Sequence, residues 1–288
     1  MDLDEVRAAI GRIEARSART ARYDRLSDAE FRVFSQFGED GILQYLLGRI
    51  PVENDLFIEF GVDDYRESNT RFLLSNDNWR GLIFDGGSKH IDFIRSNPIG
   101  WRYTIDARQA FITRENINQL RATAGVSGDI GLLSIDIDGN DYWVLEAIDV
   151  VSPRILVVEY NSTFGPVAAV TVPYDPTFQR TSAHYSNLYW GASLAAICLA
   201  ADRKELAFVG SNSAGNNAFF VRRALLGDLT VLTPEEGWVD ARFRESRNEE
   251  GALTLLQGRD ARIEMIRDEP LVEVTTGETI LVGSLTGP

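Results

Sequence analysis

The sequence predicts an α/β protein built around a mostly parallel β-sheet. Between residues 55 and 222, short apolar segments alternate with amphipathic ones, which is the spacing of β-α units. The apolar segments lack a polar face, as in Arg154-Ile-Leu-Val-Val-Glu159, and this is typical of strands that helices cover on both faces. Two segments end in an acidic residue, Glu59 and Asp85, at the strand ends where open α/β sheets bind ligands.

The individual elements follow from this alternation. We expect strands near 55–60, 81–85, 101–105, 130–136, 154–160, 205–210 and 217–222. Helices are expected near 67–76, 88–96, 113–124, 141–149 and 190–202. Asn216 and Asn217 follow Gly215 between the last two strands, so a tight turn there predicts a closing antiparallel hairpin on a seven-stranded sheet.

Segments of different character flank this central domain of residues 35–223. Residues 1–34 form a predicted helical extension, in which Val6, Ile10 and Ile13 make a thin apolar stripe along a helix at 2–24. The stripe could dock on the body of the protein or on a second subunit, which would make a homo-oligomer. Residues 224–288 are more polar and are predicted to form a small accessory tail or a substrate-side cap.

Composition excludes several classes of partner. The chain has 288 residues and a formal charge of −14, and its Lys and Arg residues are not clustered, which argues against nucleic acid; the acidity also fits solubility alone. Its single cysteine, Cys198, lies in an apolar run and is expected in the core, so neither an internal disulfide nor a Cys-based zinc site is predicted. With no apolar stretch near ~18 residues and an acidic N-terminus, we expect no membrane span, no secretory signal and a cytoplasmic location.

The ends of the first two strands predict a nucleoside-containing cofactor. Gly61 would let the backbone approach a ligand, and the Glu59 carboxylate could receive an ammonium group. Asp85 could accept both ribose hydroxyls, although it could also cap the following helix. The turn has one glycine and then Asp63 and Asp64, which would repel a pyrophosphate but not a sulfonium. We therefore predict S-adenosylmethionine as the cofactor.

A second acidic cluster is predicted where the fourth and fifth strands end. Asp136, Asp138 and Asp141 follow the fourth strand, and Glu159 and Asn161 end the fifth. Because adjacent strand ends lie side by side, Asp136, Asp138, Glu159 and Asn161 could bind Mg²⁺, which would lower the pKa of an acceptor hydroxyl. The alternative needs no metal and makes Asp136 or Asp138 a general base. Asp141 is better explained as a helix cap.

Two histidines complete the catalytic candidates. His184 lies in the aromatic-rich segment 161–187, which is expected to overhang the crevice, and is a candidate general base or a packing residue. His90 follows Asp85 closely and could lie at the edge of the adenosine site.

Several segments, in order, resemble the FkbM-like methyltransferases of bacterial polysaccharide and secondary-metabolite pathways. They are Ser35-Gln-Phe-Gly-Glu-Asp-Gly41, Phe57-Ile-Glu-Phe-Gly61, Trp79-Arg-Gly-Leu-Ile-Phe-Asp85, Leu133-Ser-Ile-Asp-Ile-Asp-Gly-Asn-Asp141, Val158-Glu-Tyr-Asn161 and Asn216-Asn-Ala-Phe-Phe-Val221. The resemblance implies a Rossmann-like class I methyltransferase fold over about residues 33–223. It also implies adenine contacts at Asp106 and Ala107, although a turn aspartate needs no ligand. The chain departs from the usual Gly-x-Gly turn by carrying Gly61-Val-Asp63.

These observations predict an S-adenosylmethionine-dependent O-methyltransferase. A saccharide or sugar-bearing metabolite is the expected acceptor, and this part follows from the resemblance alone. One alternative is an NAD(P)-dependent sugar oxidoreductase, which lacks support because the glycine fingerprint and a Tyr-x-x-x-Lys pair are missing. The other is a non-catalytic methyltransferase-fold subunit that binds a partner through its N-terminal helix.

Overall fold

The computed structural model describes residues 3–119 and 125–285. Their strands are β1 (Leu56–Phe60), β2 (Arg80–Asp85), β3 (Ile105–Gln109), β4 (Gly128–Ile135), β5 (Val151–Glu159), β6 (Val170–Thr171), β7 (Leu206–Ser211), β8 (Asn217–Arg222), β9 (Pro270–Glu273) and β10 (Thr279–Leu281). Their helices are α1 (Leu3–Thr20), α2 (Glu39–Leu47), α3 (Arg71–Asp77), α4 (Ser88–Ser96), α5 (Ile99–Arg102), α6 (Asp141–Ala147), α7 (Arg180–Ala183), α8 (Leu194–Asp202), α9 (Pro234–Gly237) and α10 (Arg259–Met265). Short 3₁₀ helices lie at Leu26–Ala29, Ser162–Phe164, Arg223–Leu225 and Val282–Leu285. Among the helices of these residues, none has the length and apolarity that crossing a membrane would require.

Seven of the strands form the central sheet in the order β3-β2-β1-β4-β5-β8-β7. Every neighbouring pair is parallel except those of β8, which runs antiparallel to β5 and to β7. The prediction of a mostly parallel α/β sheet with a closing antiparallel hairpin is therefore confirmed.

Both faces of this sheet are buried. Ile58 and Phe60 belong to the apolar cluster on one face, whereas Phe57 belongs to the cluster on the other. Side chains alternate across a strand, so a strand that is covered on both sides is mostly apolar on both faces. This explains why β5 is buried at every position but Ser152 and contains the apolar run Ile155–Val158.

The strand order also fixes the position of a crevice. From β1 the chain builds outward through β2 to β3 and then returns to place β4 on the other side of β1. Connections on the two sides of this switch point leave in opposite directions, and open α/β sheets bind ligands at the carboxyl ends of such strands. Glu59, Asp85 and Asp136 lie at or next to these ends.

The predicted strand at 101–105 is wrong, and β3 begins where that prediction ends. Pro98 starts one helical turn instead, in which the amides of Arg102 and Tyr103 donate to the carbonyls of Pro98 and Ile99. The fixed φ of proline favours the first position of such a turn. The predicted helix at 113–124 extends into residues 120–124, which lie outside the described residues.

Helix α1 packs on the body through small residues rather than through the predicted apolar stripe. Gly11, Ala15 and Ala18 are buried, while Ile10 and Ile13 are 56% and 67% exposed. Small side chains let the helix approach its neighbours closely, whereas larger side chains at these positions would keep them apart. Ile10 and Ile13 of the stripe therefore do not dock on the body, and homo-oligomer formation stays a prediction.

The C-terminal segment is tied to the chain that follows β5. β6, β9 and β10 form a second, three-stranded sheet in the order β10-β9-β6. An apolar cluster joins the same parts of the chain, with Phe164 and Leu188 contributed by the segment after β5 and Ile263 and Leu271 by the C-terminal segment. Residues 224–285 thus support the long segment that lies over the carboxyl edge of the central sheet.

Candidate active site

A cavity of about 930 Å³ opens at the carboxyl ends of β1, β2, β4 and β5. Its lining includes the predicted residues Glu59, Gly61, Asp85, Asp136, Asp138 and Glu159. Residues of the segment after β5, among them Phe178 and Arg180, line it as well. The structure thus brings the two predicted acidic groups into one cavity.

Glu59 holds the loop that follows β1. Its carboxylate accepts hydrogen bonds from the Ser68 hydroxyl at 2.6 Å, from the Asn69 amide at 3.0 Å and from the Thr70 hydroxyl. Burial raises the pKa of Glu59 in spite of these donors. Glu59 is only 4% exposed, and its hydrogen bonds order the cavity wall.

Gly61 is required by a close backbone approach. Its φ is +71°, a conformation that glycine adopts at little cost. A β-carbon at this position would lie 1.6 Å from the carbonyl oxygen of Asp136. Its amide donates to the carbonyl of Phe84 at 3.0 Å. Gly61 therefore joins the ends of β1, β2 and β4.

Asp85 is the buried acid at the end of β2. Its Oδ1 accepts from the Gly87 amide at 2.7 Å and lies 3.0 Å from His90 Nδ1, while its Oδ2 accepts from the Asp63 amide at 2.9 Å. Since a carboxylate oxygen accepts two hydrogen bonds, Oδ2 keeps one acceptor position for a ligand. Asp85 also orders the turn before α4, so both sequence interpretations describe part of its role.

Asp63, Asp85 and His90 are close enough together to hold a metal ion. Among the described residues they form a group in which one ligand atom from each side chain lies within 4.8 Å of the others. Partial burial, followed by the charge of Asp85, raises the pKa of Asp63. This group lies at the β2 end of the cavity and contains none of the predicted Mg²⁺ ligands.

Asp106 and Ala107 lie within β3 and not after it, because the strand runs to Gln109. Asp106 pairs with Arg108 at 2.8 Å and faces solvent, and neither Asp106 nor Ala107 lines the cavity. The next residues, Ala110, Phe111 and Ile112, do line it. The predicted strand lay four residues too early, so the residues that follow β3 at the cavity are Ala110 to Ile112 and not Asp106 and Ala107.

Asp136 and Glu159 form a buried carboxyl pair at the adjacent ends of β4 and β5. Burial raises the pKa of both groups well above the usual values. Repulsion from Asp138 raises the pKa of Asp136 further, and repulsion from Asp136 raises that of Glu159 further. The Oε2 atom of Glu159 is buried and has no hydrogen-bond partner among the described residues. The pair can therefore accept or hold a proton at the cavity surface.

Asp138 and Asp141 do not join this pair as ligands. Asp138 has a φ of +57° and pairs with Arg180 at 3.0 Å. Asp141 turns back to accept from the amides of Ile137 and Gly139, both at 2.9 Å, so it closes the β4 loop. Burial raises the pKa of Asp141 to about 6.

Asn161 is used by the fold. Its amide nitrogen donates to the carbonyls of Leu188 and Trp190 at 3.0 Å, and its oxygen accepts from the Thr163 amide at 3.0 Å. It does not line the cavity. Among the described residues the predicted set of Asp136, Asp138, Glu159 and Asn161 is thus not assembled as a cation site.

His184 lies outside the cavity lining. Its Nδ1 is 2.8 Å from the Ser186 hydroxyl, and its ring packs against Tyr185 at a centroid distance of 4.3 Å. These contacts match the alternative interpretation of His184 as a packing residue. His90 is the histidine that lines the cavity.

Several cavity residues were not singled out from the sequence. They are Gln36, Asn69, Phe111, Asn140, Arg180, Asn217 and Glu245. The segment Ser35–Gly41 carried a signal for some of them. In it, Asp40 accepts from the amides of Val33, Phe34 and Ser35 at 2.7 to 2.9 Å, which orders the loop that presents Gln36.

Glu39 of the same segment connects this loop to β8. Its Oε1 accepts from the side-chain amides of Asn212 at 2.7 Å and Asn217 at 3.1 Å. Asp40 and Glu39 therefore stabilise the fold, and Glu39 also positions Asn217 in the cavity wall.

Comparisons with known proteins give only distant structural likenesses. No family model and no curated protein matches the chain. The N-terminal domain of EvdMO1 with SAH bound is 12% identical with a TM-score of 0.41, covering 77% of this chain and 95% of that one. The O-methyltransferase from Bacillus cereus in complex with SAH is 15% identical with a TM-score of 0.36, covering 58% and 74%. PKMT2 from Rickettsia typhi in complex with AdoHcy is 9% identical with a TM-score of 0.41, covering 64% and 52%.

These likenesses are too weak to carry an argument about activity. The strand order and the single antiparallel strand β8 give the chain a Rossmann-like class I methyltransferase fold.

Proposed function

We propose that this protein is an S-adenosylmethionine-dependent O-methyltransferase that acts on a hydroxyl of a saccharide or sugar-bearing metabolite. One observation carries the proposal: a single cavity joins the nucleoside-type wall at Asp85 and Phe111 to the buried carboxyl pair of Asp136 and Glu159. The ordered motifs between residues 35 and 221 support placing the chain with the FkbM-like enzymes.

The residues at the β1, β2 and β3 ends fit the cofactor. Asp85 Oδ2 has an open acceptor position for the ribose, and the 46% exposed Phe111 offers a ring face for adenine. Asp63, Asp64 and Glu67 make this end of the cavity acidic, which favours a sulfonium over a pyrophosphate. The cofactor would supply an electrophilic methyl group on that sulfonium.

The carboxyl pair would act on the acceptor. An acceptor hydroxyl would donate to Glu159 Oε2 and lose its proton to that carboxylate. Its oxygen would form the new C–O bond as the sulfur–methyl bond breaks, with that electron pair left on sulfur. Asp136 would stay protonated, so that the Asp136–Glu159 pair carries one negative charge before the transfer and not two. The reaction also requires that the cavity align the acceptor oxygen, the methyl carbon and the sulfur in one line.

The proposal does not include Mg²⁺, because two of the four predicted ligands have other partners. Arg180 pairs with Asp138, and both ends of the Asn161 side chain are used within the fold. A divalent cation at the acceptor end would have to compete with the guanidinium of Arg180 for these carboxylates.

Methyl-labelled S-adenosylmethionine tests this function directly. The purified protein would be incubated with a panel of glycosides and nucleotide sugars, and mass spectrometry would locate label on oxygen. Glu159→Gln should lose at least 100-fold in turnover, the range of a lost general base, and still bind S-adenosylhomocysteine. Label on carbon or nitrogen would contradict O-methylation. Failure to bind the cofactor at all would favour a partner-binding subunit.

A further inference from the structure

Three buried hydrogen-bond acceptors in the cavity wall have no partner among the described residues. They are Oδ1 of Asn140, Oε2 of Glu159 and Oδ1 of Asn217. The three residues are 3%, 6% and 3% exposed, and all of them line the cavity. An unsatisfied buried acceptor costs about 1–3 kcal/mol, so three in one wall are expensive to the fold unless a ligand supplies donors.

Hydrogen bonds fix the orientation of both amides. Asn217 Nδ2 donates to Glu39 Oε1 at 3.1 Å, and Asn140 Nδ2 donates to the Asp175 carbonyl at 2.8 Å. Turning either amide over would place its oxygen against another oxygen. The two Oδ1 atoms therefore cannot exchange with their donor nitrogens.

Two of the acceptors are neighbours across adjacent strands. Glu159 of β5 and Asn217 of β8 are directly opposite each other in the antiparallel register. Side chains at such positions have β-carbons ~5 Å apart, which is within the span of one small ligand. The wall therefore offers grouped acceptors to donor groups on a single molecule.

A cation of the protein itself already compensates acidic charge at this wall. The Arg180 side chain is 16% exposed, lies 3.0 Å from Asp138 Oδ1 and 3.5 Å from Glu245 Oε2, and interacts electrostatically with Glu159. An ammonium or a divalent cation would have to compete with this guanidinium for the carboxylates. A neutral ligand with several hydroxyl donors would satisfy the three acceptors without displacing Arg180.

We infer that Asn140, Glu159 and Asn217 form a specificity subsite for a neutral polyol, in which the hydroxyl to be methylated has a neighbouring hydroxyl that donates to an asparagine oxygen. The inference rests on the proposed function and narrows its substrate class to acceptors that carry a vicinal diol. A hydrogen-bonding site of this kind rejects an analogue that lacks the second hydroxyl, because the buried acceptor is then left unpaired.

The test uses the full chain saturated with S-adenosylhomocysteine. Methyl pyranosides with cis and trans vicinal diols, their monodeoxy analogues, D-glucosamine and MgCl₂ would be titrated separately and followed by calorimetry and ligand-observed NMR. At least one diol pyranoside should bind tenfold or more tightly than its monodeoxy analogue. Asn217→Ala should remove that difference and leave S-adenosylhomocysteine binding intact.

Asn54→Ala is the matched control. Its amide donates to the backbone carbonyl of Asp129, as the amide of Asn140 does to that of Asp175. Its oxygen, however, accepts from Arg80, and Asn54 does not line the cavity. This variant should keep the diol preference. Glu159→Gln provides a second variant if Asn217→Ala unfolds, as thermal melting would reveal.

The inference would be overturned by equal binding of diol and deoxy probes, by no pyranoside binding, or by a preference for D-glucosamine or Mg²⁺. Each of these outcomes leaves the proposed function standing as long as S-adenosylhomocysteine binds. Loss of cofactor binding in the unmodified protein would instead be the failure of the proposed function.

Discussion

Gly61 and Asp136 are in direct backbone contact, and a β-carbon on Gly61 would lie 1.6 Å from the Asp136 carbonyl oxygen. The loop after β1 and the loop after β4 are therefore packed through a residue without a side chain. Any side chain here must separate the β1 end of the cavity from its β4 end.

Gly61→Ala should lower the free energy of unfolding by about 3–5 kcal/mol, because it combines a backbone clash with a strained φ. Gly251→Ala is the control, since Gly251 has a φ of +81° but nothing within 4 Å of the added carbon. It should cost only the left-handed penalty of about 1–2 kcal/mol. Urea denaturation of both variants measures the difference, and equal costs would show that the clash is relieved by small backbone movements.

Phe111→Ala should weaken S-adenosylhomocysteine binding about 5- to 100-fold, the range of one base–aromatic stacking contact. The 46% exposed ring lines the cavity beside the turn that follows β2. Trp101→Ala removes a larger, 75% exposed aromatic side chain away from the cavity and should leave binding unchanged. Calorimetric titration distinguishes the two, and an unaffected Phe111→Ala would move the adenine site elsewhere.

The buried carboxyl pair predicts how stability depends on pH. Burial and repulsion from neighbouring carboxylates raise the pKa of Asp136 and Glu159, and burial raises those of Asp40 and Asp141 to about 6. The folded protein then binds more protons than the unfolded chain above about pH 4. Stability from these groups is fully present below that pH and is lost as the pH rises through the raised values.

Glu159→Gln should therefore flatten the decline in the free energy of unfolding between pH 5 and 8. The change in slope should not exceed about 1.4 kcal/mol per pH unit for each proton involved. Urea titrations at four pH values measure it, with Glu250→Gln on the exposed surface as the control. A slope identical to that of the unmodified protein would mean that the pair is not coupled.

The fold could be predicted because its determinants are local and repeated. The run Ile155–Val158 of β5 is apolar at every position because both faces are covered, and this is visible in the sequence alone. The error at residues 101–105 arose where the propensity of Trp, Tyr and Ile for strands outweighed the signal of Pro98, which begins a helical turn.

The site was less predictable because side-chain partners are not local. Asp138 and Asn161 have the residue types and strand positions of metal ligands, yet Arg180 and the backbone carbonyls of Leu188 and Trp190 engage them from the long segment after β5. In the sequence, Asn217 follows Gly215 and Asn216, so the tight turn of a hairpin is a sufficient explanation for it. Only its register opposite Glu159 reveals it as part of the cavity.

The most direct test of the central claim is calorimetric titration of S-adenosylhomocysteine into the protein, into Asp85→Asn and into Asp106→Asn. Asp85 keeps an acceptor position in the cavity, whereas Asp106 pairs with Arg108 outside it. We expect micromolar binding to the unmodified protein and to Asp106→Asn, and a loss of about 10- to 100-fold in Asp85→Asn, the value of a hydrogen bond to a charged group. No binding to the unmodified protein, or equal binding by all three, would contradict the assignment of this cavity as the cofactor site.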